Sequence, residues 1–232
     1  MAPADKAAAR NHVVEFLARR PTVTQTIVVR INPLDQLWGL EDLAALAALE
    51  QGPAVILLPK VEEPGQVAAV GRLLRNAGSA TRTAALIESA GGVAEAVAIA
   101  RCDASLDFLM FGAADYAADV GQQVGSFRPD HARATVINAA AAAGLVAIDS
   151  PFFSIDRPDR LQADCASGRA MGFYGKAAIH PAQIATIRAA YEPTDAERAY
   201  ARRILEAVPE GVGVLDGKMV DTAMVRWAQR IA

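Results

Sequence analysis

The sequence predicts an α/β protein built as a (β/α)8-type TIM barrel, with a helix-hairpin-helix appendage at its C-terminal end. Three observations carry that reading. Short runs rich in Val, Ile, Leu and Phe alternate with longer alanine-rich stretches of helical period. The runs are almost continuously apolar, as expected of parallel strands covered on both faces. A polar or charged residue recurs at the carboxyl end of run after run, and in β/α barrels that face carries the active site.

The predicted strands are, in order, TIVVRIN (26–32), AVILLPKVE (54–62), TAALIES (83–89), LDFLMFG (106–112), LVAIDSPF (145–152) and MGFYGKAAIH (171–180). Their terminal polar residues are Arg30, Lys60, Glu88, Asp115, Asp149 and His180. Amphipathic stretches such as LEDLAALAALE (40–50) and GGVAEAVAIARC (91–102) are read as the intervening helices. No glycine-rich phosphate loop follows any strand, which disfavours an open nucleotide-binding sheet. The barrel is assigned to residues 1–190. From 191 to 232 the pattern changes: Thr194 and Glu197 form a capping box, Asp216-Gly217 marks a hairpin, and TAMVRWAQRIA closes the chain as a helix. This segment is read as a lid or oligomerisation element.

Composition narrows the function. At 232 residues and 53% hydrophobic, the chain has material for a large core. A net charge of −3 provides no footprint for nucleic acid. The two cysteines, Cys102 and Cys165, form neither a zinc motif nor a disulfide framework. With no signal-peptide core and no long apolar run, a cytoplasmic protein without membrane attachment is expected.

The sharpest chemical signal is the pair Glu88 and Asp115. Neighbouring strands would bring them to one end of the sheet, where two uncompensated carboxylates repel. A shared hard divalent ion such as Mg2+ removes the conflict, while a helix cap or a lysine partner would explain either acid structurally. Gly112 allows close approach just before Asp115. Arg30 interrupts an apolar run, and its fork suits a carboxylate ligand or an internal salt bridge with Glu88 or another barrel acid. Lys60 is a candidate substrate-binding residue, a structural lysine or, less in keeping with the paired acids, a Schiff-base lysine. His180 is read as a cap or packing residue, His12 and His131 as surface residues, and Asp149 as a mouth residue or the partner of Lys176.

Taken together and in order, VVRIN, LLPKVE, ALIESA, FGAAD, AIDSPF, GFYGKAAIHPAQI and LDGKMVD resemble the citrate lyase beta-subunit (CitE-like) family. That family lies in the HpcH/HpaI aldolase group and includes malyl-CoA, citramalyl-CoA and citryl-CoA lyases. The resemblance implies that Glu88 and Asp115 bind Mg2+ and that Arg30 grips the carboxylate of a 2-oxo acid. It implies that backbone amides at Gly112 and Ala113 assist Arg30, and that CoA arrives as part of the substrate. It further implies a homo-oligomer, a trimer or hexamer, in which Asp221 from a neighbour supplies an acid/base group; a cap for the last helix is the other reading of Asp221. Family chains carry two further strands before the part that resembles APADKAAAR, whereas here Met1 stands at that point, so six strands are expected. The expected function is Mg2+-dependent cleavage of a 3-hydroxyacyl-CoA into an acyl-CoA and a 2-oxo acid. An aldolase or thioesterase acting on related acids, and a non-catalytic or truncated subunit, are the alternatives.

Overall fold

A computed structural model describes residues 2–19, 24–123, 129–208 and 211–232. The chain forms two compact units, residues 1–187 and 188–232.

In the first unit six strands form one curled, wholly parallel sheet in the order β1-β2-β3-β4-β5-β6. They are β1 (Val28–Arg30), β2 (Val55–Leu58), β3 (Arg82–Ile87), β4 (Leu106–Phe111), β5 (Val146–Asp149) and β6 (Gly175–Lys176). All six expected runs therefore become strands, each shorter than its apolar run because the ends turn into loops. Helix α1 (Lys6–Arg19) precedes the sheet, and the intervening helices are α2 (Leu37–Ala47), α3 (Pro64–Asn76), α4 (Ala90–Ala94), α5 (Ala96–Ala100), α6 (Ala113–Asp119), α7 (Asp130–Ala142) and α8 (Pro158–Met171); α9 (Ile184–Tyr191) follows the last strand and runs past residue 187. The stretch 91–102, expected as one helix, is divided between α4 and α5, with Glu95 at φ −94° and ψ 5° where they meet.

Alternation along the strands sorts the core. Ile56, Leu58, Ala85, Ile87, Leu109 and Phe111 are fully buried, and α3, α5 and α7 pack on β3 and β4. The residues between them, Val55, Leu57, Ala84 and Leu86, form a second buried cluster against the half-buried Phe108 and Met110. Covering on both faces is thus complete only at the middle of the sheet. Val28 is 40% and Val146 37% exposed, which corrects the expectation that every run is buried on both sides. Strand β1 pairs only with β2 among the described residues, so its side chains have packing neighbours along one edge alone.

Local signals fix where the strands stop. Ser89 N-caps α4 by accepting the Gly92 N–H, so the chain leaves the sheet at Glu88. Glu63 and Gln66 form a capping box for α3, and Pro64 occupies its first turn. His180 accepts the Ala182 N–H through Nδ1 at 3.2 Å, the capping role expected of it.

In the second unit α10 (Asp195–Ala207) begins with the expected Thr194–Glu197 capping box. Strands β7 (Gly213–Leu215) and β8 (Lys218–Val220) form an antiparallel hairpin. Its turn residues Asp216 and Gly217 both have positive φ, 51° and 73°, as a two-residue type I′ turn requires. Helix α11 (Thr222–Ile231) packs on α10 around Ala201, Ile204, Val208, Val220 and Ala228. No described helix is long and apolar enough to cross a membrane.

Candidate active site

The parallel register brings the carboxyl ends of β1 to β4 together. Arg30 is the last residue of β1 and pairs in register with Leu57, which pairs with Ala84. Ile87 pairs with Phe111, so Glu88 and Gly112 leave the sheet side by side. Glu88 is buried, and its Oε1 accepts the backbone N–H of Lys60 at 2.9 Å. No other hydrogen bond from the described residues reaches this carboxylate. Burial, and next the charge of Asp115, push the Glu88 carboxyl above its ordinary pKa. The Lys60 N–H bond and the charges of Arg30 and Lys60 oppose that rise. Glu88, Asp115, Arg30 and Lys60 therefore form one electrostatic neighbourhood.

Gly112 is required sterically. A Cβ there would stand 2.5 Å from Glu88 Cβ and 2.8 Å from Glu88 Oε2, closer than non-bonded atoms tolerate. Its N–H donates to the Ile87 carbonyl at 2.9 Å. Sheet register thus engages the first of the two amides expected to assist Arg30. The Ala113 N–H, in the first turn of α6, makes no such bond among the described residues. Asp115 lies in the same turn, half exposed, with its Oδ1 4.0 Å from Lys60 Nζ.

Lys60 touches both acids: its N–H meets Glu88 and its ammonium faces Asp115. It does so from a left-handed backbone conformation, φ 52°, which is uncommon for a non-glycine residue. Arg30 is exposed, not buried as its apolar context suggested, since β1 has one neighbour only. It forms no ion pair with Glu88 or any other acid among the described residues, so the internal salt-bridge reading falls. Instead Arg30 borders a cavity of about 340 Å3 shared with Lys6, Arg10, Val29, Asn32 and Asp42, which neither Glu88 nor Asp115 lines. One wall of that cavity is built from Arg10, which donates to Asp42 at 2.7 Å and Glu41 at 2.6 Å, while Asn32 donates to Asp42 twice. The sequence reading did not single out Arg10 or Asp42; an acid on the buried stripe of α2 is the signal that marks them.

Other expected residues lie elsewhere. Asp149 is buried and engaged by Lys176 at 2.7 Å and Arg133 at 2.7 Å, so it pairs with Lys176 and does not open to the mouth. Asp221 belongs to the second unit, where its Oδ1 accepts the Ala223 and Met224 N–H groups as the N-cap of α11.

The Glu88–Asp115 pair fits a divalent cation. It offers hard oxygen donors, one of them on a buried carboxylate with an oxygen left open beside Gly112, and a second acid that repels the first. Among the described residues no third Asp, Glu, His or Cys joins them. Two carboxylates with water and ligand oxygens completing the shell is a magnesium-type arrangement and unlike a zinc site.

A parallel half-barrel with two acids and two cations at its carboxyl end is the frame of a β/α-barrel enzyme. Known proteins specify it further. Residues 1–181 match the HpcH/HpaI aldolase/citrate lyase family. An L-malyl-CoA/beta-methylmalyl-CoA lyase of Cereibacter sphaeroides is 31% identical over all of this chain and 83% of its own. A (3S)-malyl-CoA thioesterase of the same species is 34% identical over 88% of this chain and 72% of its own. The crystal structure of CitE from Mycobacterium tuberculosis, in complex with magnesium, acetoacetate and coenzyme A, is 33% identical. It superposes with a TM-score of 0.78 over 99% of this chain and 84% of its own. The chain belongs to the HpcH/HpaI aldolase/citrate lyase family.

Proposed function

We propose that the protein cleaves a 3-hydroxyacyl-CoA thioester, of the malyl-, citramalyl- or citryl-CoA type, into an acyl-CoA and a 2-oxo acid. The observation that carries this reading is the meeting of Glu88 and Asp115 at adjacent strand ends, flanked by the cations Arg30 and Lys60.

In this reading Glu88 and Asp115 would hold Mg2+, which would supply Lewis-acid polarisation of the oxygen that becomes the oxo group. Arg30 and Lys60 pair with the carboxylate next to that oxygen, and the Ala113 N–H adds a neutral donor. A base takes the proton of the 3-hydroxyl group. The bond between the hydroxyl-bearing carbon and the carbon alpha to the thioester then breaks. Its electron pair passes to the thioester enolate while the hydroxyl carbon becomes the carbonyl carbon of the oxo acid, an aldehyde from malyl-CoA and a ketone from the other two. Protonation of the enolate carbon releases the acyl-CoA. Asp221 of a second copy is the proposed acid/base group; one of its oxygens serves the helix cap and the other accepts no hydrogen bond among the described residues. A homotrimer or hexamer would bring that residue to a neighbour's mouth.

Similarity to a thioesterase supports a second reading, in which water attacks the thioester carbonyl and CoA leaves as a thiol. Incubation of the protein with (3S)-malyl-CoA and Mg2+ separates the two. Glyoxylate and acetyl-CoA without free thiol are expected; malate with stoichiometric thiol would replace the lyase reading, and no turnover of any of the three thioesters would remove both.

A further inference from the structure

Lys60 is placed unlike any other cation near the two acids. Its backbone N–H is committed to Glu88 at 2.9 Å, while its ammonium stands 4.0 Å from Asp115. The backbone contact is made with Lys60 in the left-handed conformation at φ 52° and does not involve its side chain. The side chain is 58% exposed and makes no other ion pair among the described residues, so it can swing away. Arg30 acts on Glu88 through its charge but pairs with neither acid among the described residues.

We propose that Lys60 is a displaceable counter-ion, which couples cation entry to binding of the oxo acid. The proposal rests on the reading of Glu88 and Asp115 as cation ligands given above. With no divalent ion bound, the ammonium neutralises Asp115 and eases its repulsion with Glu88. A shared divalent ion would bind the Asp115 carboxylate that Lys60 faces, so ammonium and ion compete for its negative charge. Once released, the ammonium is left beside a more positive centre and gains by meeting an anionic oxygen. The carboxylate of a 2-oxo acid provides one. Ion and oxo acid therefore favour each other's binding through Lys60, and the Lys60 N–H continues to orient Glu88 throughout.

The test is Mn2+ binding, followed by the electron paramagnetic resonance signal of the free ion, with and without pyruvate. Wild-type protein is compared with Lys60→Met, Lys60→Gln and Lys60→Gly, each checked for folding by circular dichroism. Lys60→Gly keeps the left-handed backbone and its N–H at no steric cost. Without pyruvate all three variants are expected to bind Mn2+ roughly three- to tenfold more tightly than wild type, because a like charge has been removed. Pyruvate should tighten Mn2+ binding in wild type by a larger factor than in any variant. Wild-type protein that binds Mn2+, with variants of equal or weaker affinity, would overturn the proposal and leave the carboxylate pair standing. Wild-type protein that binds no Mn2+ with or without pyruvate would overturn both.

Discussion

Glu88 and Asp149 are both buried carboxylates at the carboxyl ends of strands in the same sheet, and their surroundings are opposite. Asp149 is enclosed by the cations Lys176 and Arg133 and also accepts the Ser150 N–H. Lys176 is itself completed by Asp164 at 2.7 Å and the Ser150 carbonyl at 2.6 Å. Glu88 accepts one backbone N–H, faces another acid, and has no cation within ion-pair distance among the described residues. A closed network of this kind gives a region its shape. An under-compensated carboxylate in a steric cradle is arranged for a charge that comes from outside. Position at a strand end therefore does not separate structure from function; the balance of partners does.

The largest expected effect comes from breaking the closed network. Lys176→Met leaves Asp149 buried beside a single cation and should lower unfolding free energy by about 3–5 kcal/mol in urea titration. The corresponding change at the mouth, Glu88→Gln, removes a buried charge with few partners. It should cost no stability, and gain up to about 1 kcal/mol, while abolishing divalent-ion binding. Similar losses of stability in the two variants would erase the distinction between the regions.

Gly112→Ala sharpens the comparison from the steric side. Its Cβ would overlap Glu88, so about 1–3 kcal/mol of stability should be lost, with weaker ion binding, as measured by urea titration and calorimetry.

Asp103 shows how a well-partnered carboxylate behaves with pH. Its bonds to Arg75, and then those from Ser105, hold its carboxyl well below the usual carboxylate range. A depressed folded-state value means that its stabilisation is present above about pH 4 and declines as pH falls below that. Asp103→Asn should cost about 1–2 kcal/mol at pH 7, with the gap to wild type narrowing in acid unfolding curves between about pH 4 and pH 2.

The smallest stability effect belongs to Asp221. Asp221→Ser keeps a capping oxygen and should change stability by less than about 0.5 kcal/mol, whereas Asp221→Ala should lose about 1 kcal/mol. Both should lower turnover by about 100-fold or more if Asp221 is the acid/base group, so a drop in rate without a drop in stability in the serine variant identifies chemistry.

The sequence made the central pair legible because parallel strands bring their carboxyl ends to one side, and both acids sit just past an apolar run. The exposure of Arg30 was not legible, because it depends on β1 having one neighbour, and VVRIN reads the same at an edge as in the middle. Nor was the bond from the Gly112 N–H to the Ile87 carbonyl, which is decided by the register of β4 on β3. The left-handed backbone at Lys60 carries no mark in LLPKVE, since glycine or asparagine would usually announce it. Pairing of Arg10 with Asp42 spans 32 residues and was hidden for that reason.

The role of the Glu88–Asp115 pair is tested most directly by isothermal titration of Mg2+ into the wild-type protein in the presence of pyruvate, glyoxylate or oxaloacetate, beside Glu88→Ala and Asp115→Ala. Metal-dependent binding of one of these acids to wild type, absent from both variants, is the expected result. Binding that survives in either variant, or a folded wild-type protein that binds none of the three, would contradict it.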